Sequence, residues 1–171
     1  MELALAPDGQ AWVVAHARPR CEKKVAAYCA QEGVPCYLPL RRRTHRYGAR
    51  TRTFLSPLFP GYAFCIVDPA RRAHLRQNRH VANVLETVEQ AKLVHQLRQV
   101  WQALAAEAAG GPEVLPYLQA GRPVRVTAGP FRGLEGVVAQ LRGRTRVLLN
   151  VDLISRSVVV ETDPSFLEPA G

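Results

Sequence analysis

The sequence predicts an α+β protein of two domains: a split-βαβ domain whose helices cover one face of a largely antiparallel sheet, then a small all-β domain. Three observations predict it. Short apolar runs alternate with helix-period segments up to Ala108, short valine-rich runs between glycines follow from Val124, and Gly110-Gly111-Pro112 separates the two rhythms. With 171 residues and 47% hydrophobic content, the chain can bury two small cores without a metal or a disulfide.

Met1 to Gln10 carries Glu2 and Asp8 and no apolar run long enough for a signal peptide or membrane span, so a cytoplasmic protein with no membrane association is expected. Trp12-Val13-Val14-Ala15-His16-Ala17 reads as a buried strand that stops at Arg18-Pro19. A helix follows, because Cys21, Val25, Tyr28 and Cys29 recur at i, i+4, i+7 and i+8 while Glu22, Lys23, Lys24 and Gln31 take the other face; Gly33 ends it. Val34 to Leu38 is a short strand bounded by Pro39. The stretch from Arg41 to Arg52 has no apolar period and reads as an exposed loop or hairpin tip.

Tyr62-Ala63-Phe64-Cys65-Ile66-Val67 has the aromatic and β-branched content of a central strand, entered through Pro57-Leu58-Phe59-Pro60-Gly61 and closed by Asp68-Pro69. Ala70 to Gln77 fits a short helix and Val81 to Leu85 a fourth strand. Leu93, Val94, Leu97, Val100, Trp101 and Leu104 repeat at helical spacing through Ala108. The order β-α-β-β-α-β-α suits a ferredoxin-like, split-βαβ sheet over residues 10–109. Residues 110–114 are the expected linker, since glycine frees the backbone and proline ends a helix.

In the second domain, residues 115–169, Val124 and Val126 alternate before Ala128-Gly129-Pro130. Gly133 and Gly136 punctuate the next strand, and Val147 to Val151 and Val158 to Glu161 follow. Closing such short strands into a barrel would dispose of exposed sheet edges. Gly129 and Gly133 are expected in positive-φ turns, and Gly136 where two backbones approach closely.

A net charge of +9 makes a polyanion the first partner to consider, because basic side chains gain affinity for phosphates by releasing counterions. A solvated basic surface is the alternative. Up to Glu113 there are 16 basic and 9 acidic residues, and from Val114 only 7 and 5, so the charge belongs to the first domain. The run from Arg41 to Arg52 holds six arginines and His45 with no acid, which favours phosphate contact by Arg41, Arg42, Arg43, Arg46, Arg50 and Arg52 over a bland loop. For a second basic cluster, Arg71, Arg72, Arg76 and Arg79, an exposed helix face and a functional contact are both open.

The four cysteines, Cys21, Cys29, Cys36 and Cys65, form no CxxC pair, so buried free thiols are expected, with no metal and no cofactor. An enzyme would need Cys21 or Cys29 activated by His16 or His45, and no spacing supports that, so no catalytic residue is assigned.

Leu58-Phe59-Pro60-Gly61-Tyr62 puts two aromatics on a proline-stiffened approach to a strand, where core and interface roles for Phe59 and Tyr62 are both open. Together with Trp12-Val13-Val14, the break at Arg18 to Arg20, and Leu38-Pro39-Leu40 before the arginines, this block resembles the amino-terminal domain of the NusG/RfaH-like transcription elongation and antitermination factors. Gly121-Arg122-Pro123-Val124-Arg125-Val126-Thr127-Ala128-Gly129-Pro130-Phe131-Arg132-Gly133-Leu134-Glu135-Gly136-Val137-Val138 resembles the KOW motif, which implies that the second domain is an SH3-like barrel.

The resemblance implies a non-enzymatic, monomeric factor that rides on RNA polymerase. Leu58, Phe59, Pro60 and Tyr62 would dock on the clamp helices of the largest subunit, holding the clamp closed against pausing or termination. Arg18, Arg20, Lys24 and Tyr28 would touch non-template DNA of the transcription bubble, and Arg71, Arg72, Arg76 and Arg79 fall near the region where relatives meet polymerase or DNA. Phe131, Arg132, Leu153 and Ile154 would meet the KOW-domain partner, a ribosomal protein of the antitermination complex or Rho; Phe131 and Ile154 equally suit barrel-end core. Val81 to Glu89 lacks the glycine-rich passage usual in housekeeping members, and the first domain is strongly basic. Both point to a specialised paralogue. The alternative is a ribosome-associated or general RNA-binding KOW protein, in which Leu58 to Tyr62 would be core alone.

Overall fold

The computed structural model describes residues 2–106, 112–116 and 121–171. Its elements run β1 (Ala11–Ala17), α1 (Glu22–Gln31), β2 (Cys36–Tyr37), β3 (Leu40–Tyr47), β4 (Arg50–Pro57), β5 (Tyr62–Val67), α2 (Pro69–Gln77), β6 (Val81–Glu86) and α3 (Gln90–Ala106). Then come β7 (Glu113–Pro116), β8 (Pro123–Val126), β9 (Glu135–Leu141), β10 (Arg144–Val151), β11 (Arg156–Glu161) and β12 (Leu167–Pro169). The chain divides into two compact units, Met1–Leu40 with Ser56–Val94, and Arg41–Leu55 with His95–Gly171. Among the described residues, no helix is long and apolar enough to cross a membrane.

The first unit holds a four-stranded sheet in the order β2-β5-β1-β6, each neighbouring pair antiparallel. Strand β5 therefore lies between β1 and β2, the strands that α1 connects, which is the split connectivity expected from the element order. Side chains alternate across a strand, so Val13, Ala15 and Ala17 of β1 share one face with Ala63, Cys65 and Val67 of β5. Helix α1 sets Val25 and Cys29 against that face, and α2 sets Leu75 there, forming one core. Trp12 and Val14 on the other face are also fully buried, which explains why β1 reads as an unbroken apolar run. Beyond the reach of β6, the Gln90 side chain stands in for a neighbouring strand: its oxygen accepts from the Trp12 N–H at 2.7 Å, and its NH2 donates to the Trp12 carbonyl at 3.0 Å.

Asp68 and Pro69, expected only to close β5, also start α2. The Asp68 carboxylate accepts from the Arg71 N–H at 2.8 Å, and Pro69 occupies the first turn, where no backbone donor is needed. The strand expected over Val34 to Leu38 shortens to Cys36–Tyr37, because Pro35 and Pro39 flank it and neither can donate to a ladder.

The second unit contains a six-stranded antiparallel sheet in the order β12-β8-β9-β10-β11-β7. Gly129 and Gly133 take φ of +78° and +90°, and a Cβ on Gly136 would lie 2.4 Å from the Leu148 carbonyl oxygen, so all three glycines serve as expected. The linker expected over 110–114 is corrected at its end: Glu113 and Val114 open β7, with Val114 opposite Val158, because an apolar residue finds an unpaired edge of β11. The expected hinge, Ala108 to Gly111, and the boundary between residues 109 and 110 lie outside the described residues.

The arginine-rich stretch is the hairpin of the two readings open for it. Strands β3 and β4 form a two-stranded sheet joined through Gly48-Ala49, with Gly48 at φ +59°. Cross-strand contacts hold it in place of burial: Thr44 and Thr53 hydroxyls lie 3.2 Å apart, and the His45 and Phe54 rings stack at 5.8 Å.

Candidate nucleic-acid and protein interfaces

The end of β1 organises the first candidate surface. The β1–β6 register shifts between His16 and Ala17, where Asn83 and Val81 are the successive partners and Ala82 of β6 is the extra residue. The Ala17 N–H donates to the Gly61 carbonyl and the Arg18 N–H to the His80 carbonyl, both at 2.8 Å, so the approaches to β5 and β6 converge on this corner. The next turn is closed by the Cys21 N–H donating to the Arg18 carbonyl at 3.0 Å, with Arg20 at φ 60° in the left-handed region.

The turn leaves Arg18 and Arg20 exposed, with Lys24 on the first turns of α1, and none makes an ion pair among the described residues. Arg79 joins them, its Nε donating to His80 Nε2 at 3.3 Å. Loss of hydration, then the charges of Arg79 and Lys24, hold the His80 pKa below its ordinary value. The imidazole is thus neutral beside several cations. Tyr28 is half-buried one to two turns further along α1, its pKa raised by burial and then by Glu32 and Cys29.

The Pro57 to Tyr62 loop sits against the same corner. Glu22, itself buried, accepts the Gly61 N–H through Oε1 at 2.7 Å. Tyr62 is half-buried and stacks on His16 with ring centroids 5.0 Å apart. The four residues expected to form one docking patch divide. Leu58 is 0% and Phe59 1% exposed, and Phe59 packs edge-on against Phe64 at 6.2 Å, so the core reading holds for these two. Pro60 is exposed, and with Tyr62 it forms the accessible part of the motif.

The hairpin is the second cationic surface. Arg42, Arg43, Arg46, Arg50 and Arg52 are exposed and make no ion pair among the described residues; Arg46 Nε donates to the Gly48 carbonyl at 3.2 Å. Alternation along β3 puts Arg43, His45 and Tyr47 on one face, where His45 lies between Tyr47 and Phe54. Tyr47 is 64% and Phe54 42% exposed. Aromatic rings beside unpaired arginines offer stacking for bases and charge for phosphates. Arg41 is the exception in the set: it is half-buried, and its Nη1 donates to the Pro112 carbonyl at 3.3 Å.

The other arginines are largely neutralised. Arg71 pairs with Asp68 at 3.8 Å, while Arg72, at 2.7 Å, and Arg76 both pair with Glu86, which returns much of this cluster to a solvated helix face. In the second unit, Arg125 pairs with Glu135 at 2.6 Å, and Arg144 and Arg146 pair with Glu161 and Glu113 at 2.8 and 3.1 Å. Of the residues expected on its partner surface, Arg132 is exposed and Leu153 half-buried. Phe131 and Ile154 are buried core, the second of the two roles open for them.

One feature no linear spacing signals is the meeting of Cys29, Cys36 and Cys65, brought together from α1, β2 and β5. Only the sheet order makes them neighbours.

Residues 10–110 match the protein-family model described as Transcription termination factor nusG, a span of more than half the chain that holds β1 to α3 and both candidate surfaces. No curated protein is a significant match to the chain.

Proposed function

This chain belongs to the NusG family, and on that premise we propose that it is a non-enzymatic elongation or antitermination factor of the specialised kind. It binds the clamp of RNA polymerase and the non-template DNA strand, reducing pausing or termination. The observation that carries the DNA contact is the contrast in charge. Arg71, Arg72 and Arg76 of α2 and Arg125, Arg144 and Arg146 of the six-stranded sheet are paired with carboxylates, whereas Arg42, Arg43, Arg46, Arg50 and Arg52 of the hairpin and Arg18 and Arg20 of the β1 corner are exposed and in no ion pair among the described residues. Unpaired cations release counterions on meeting phosphate, and paired ones first lose a partner.

Tyr62 and Pro60 supply the accessible apolar contact for the clamp helices, on a loop fixed by Glu22 and His16 and underlain by Leu58 and Phe59. The six-stranded sheet, as a KOW module over residues 115–169, recruits a ribosomal protein or Rho through Arg132 and Leu153. No covalent step is involved: the factor shifts polymerase between states by binding one of them better. Transcription by purified core polymerase on a long template, with and without the protein, tests the reading. Shorter pauses or more read-through support it. Unchanged pausing together with sedimentation on ribosomal subunits overturns it in favour of a ribosomal KOW protein.

A further inference from the structure

The first unit contains three sulfurs that converge on one point. Cys29 Sγ lies 3.7 Å from Cys65 Sγ, Cys65 Sγ lies 3.7 Å from Cys36 Sγ, and all three atoms are within 4.8 Å of one another. Three elements deliver them: Cys29 from the last turns of α1, Cys65 from the centre of β5, and Cys36 from β2, directly opposite Cys65 in the antiparallel register. Cysteine can fill a core as a small hydrophobe, but that role gives no reason for three sulfurs to face each other.

An ion held about 2.3 Å from each of three thiolates in a plane needs sulfurs about 4.0 Å apart. Two of the separations already lie within about 0.3 Å of that value, so closure requires small side-chain movements. Cys29 and Cys65 are fully buried, while Cys36 is half-buried and is the member of the trio nearest solvent. Among the described residues, no His, Asp, Glu or fourth Cys belongs to the group. A set of soft sulfur donors without a fourth ligand favours a three-coordinate thiophilic ion over a hard cation or a closed tetrahedral zinc site.

We propose that Cys29, Cys36 and Cys65 form a three-sulfur site for a soft cation, Cu(I), entered past Cys36. Binding exchanges thiol protons for the ion and releases them to solvent, with no change of oxidation state. The bound ion ties α1, β2 and β5 together, so it stabilises the four-stranded sheet that carries the β1 corner. This inference stands apart from the transcriptional reading and neither depends on the other.

The test titrates the full-length, fully reduced protein with Cu(I) under anaerobic conditions, in competition with bicinchoninate. One equivalent should be withdrawn from the chelator, and the thermal midpoint should rise with added ion. Losing a partner beyond the ligands typically weakens a metal site 10- to 100-fold, so removing a ligand through Cys36→Ser should weaken it on the order of a hundredfold or more. Cys65→Ala should act likewise, and Cys21→Ser should leave affinity unchanged; circular dichroism confirms that each variant folds. Failure to compete with the chelator overturns the proposal, as does binding unaffected by both Cys36→Ser and Cys65→Ala. A parallel titration with Zn(II) in place of Cu(I) decides the ion: tighter retention of Zn(II) overturns the three-coordinate assignment.

Discussion

The buried carboxylate of Glu22 accepts the backbone N–H of Gly61 at 2.7 Å, joining the first turn of α1 to the loop that leads into β5. A loop already anchored by the buried Leu58 and Phe59 is thereby also tied to a helix. Glu22→Ala leaves a part-buried N–H unpaired and should cost about 1.5 to 3 kcal/mol, the range for a hydrogen bond to a charged group. Glu22→Gln retains an oxygen acceptor and should cost less. Urea unfolding of the two variants measures the difference.

Phe59 and Tyr62 should separate folding from docking. Phe59→Ala empties a core position and should destabilise by about 3 to 5 kcal/mol. Tyr62→Ala, at a half-buried ring, should cost less stability and weaken binding to core polymerase more than any other change in the motif. Thermal unfolding and polymerase pull-down, run on both variants, give the two readouts, and equal binding by Tyr62→Ala and the unmodified protein would remove the proposed dock.

The hairpin arginines should be read by salt. Replacing Arg42, Arg43 and Arg46 with alanine should flatten the dependence of log affinity on log salt by about 0.7 per lost single-strand contact. Replacing Arg72 and Arg76, both held by Glu86, should change the slope less. Phe54→Ala should lower affinity for single-stranded DNA by about 1 to 3 kcal/mol if a base stacks there, with little effect on the slope.

Arg20 predicts opposite signs for stability and binding. Its φ of 60° is strained for a residue with a Cβ, a cost of about 1 to 2 kcal/mol that glycine avoids, offset by about 0.5 to 1 kcal/mol of added chain entropy in the unfolded state. Arg20→Gly should therefore leave stability unchanged or raise it by up to about 1.5 kcal/mol, yet weaken DNA binding.

His80 should make binding sensitive to pH. Its pKa is depressed in the free protein by lost hydration and by Arg79 and Lys24, so the ring is neutral near pH 7. A phosphate placed among these cations would raise that pKa, the complex would bind more protons than the free protein, and affinity should increase as pH falls from about 7 towards 6. His80→Gln should flatten the profile. The same depression makes folding weaker, not stronger, as pH falls through the unfolded value of about 6.5, which unfolding at matched pH values separates from the binding effect.

How far the sequence reaches depends on what each residue answers to. The strands β1 and β5 are legible because burial on both faces demands unbroken apolar runs, and Gly136 is legible because a Cβ would meet the Leu148 oxygen. The hairpin is only half legible: its strands are held by Thr44–Thr53 and His45–Phe54 pairs across the ladder, and neither pair leaves a periodicity in one strand. Leu58 and Phe59 resist assignment for another reason, since an apolar residue before a strand suits a core and a dock alike until its exposure is known. The pairing of Arg72 and Arg76 with Glu86, and the approach of Cys29 to Cys65, depend on contacts across 10 to 36 residues that local pattern does not contain.

Strand β1 is bonded along both edges, to β5 from Ala11 to His16 and to β6 from Val13 to Ala17. Its amide protons can exchange with solvent only when the whole sheet opens, so they should be among the slowest in the protein, whereas those of the two-stranded hairpin should exchange quickly. The cations of the β1 corner thus ride on the most cooperative element, and those of β3 and β4 on one that can adapt to a flexible strand of nucleic acid. Of the two proposed contacts, one is set by a rigid frame and the other can be shaped on arrival.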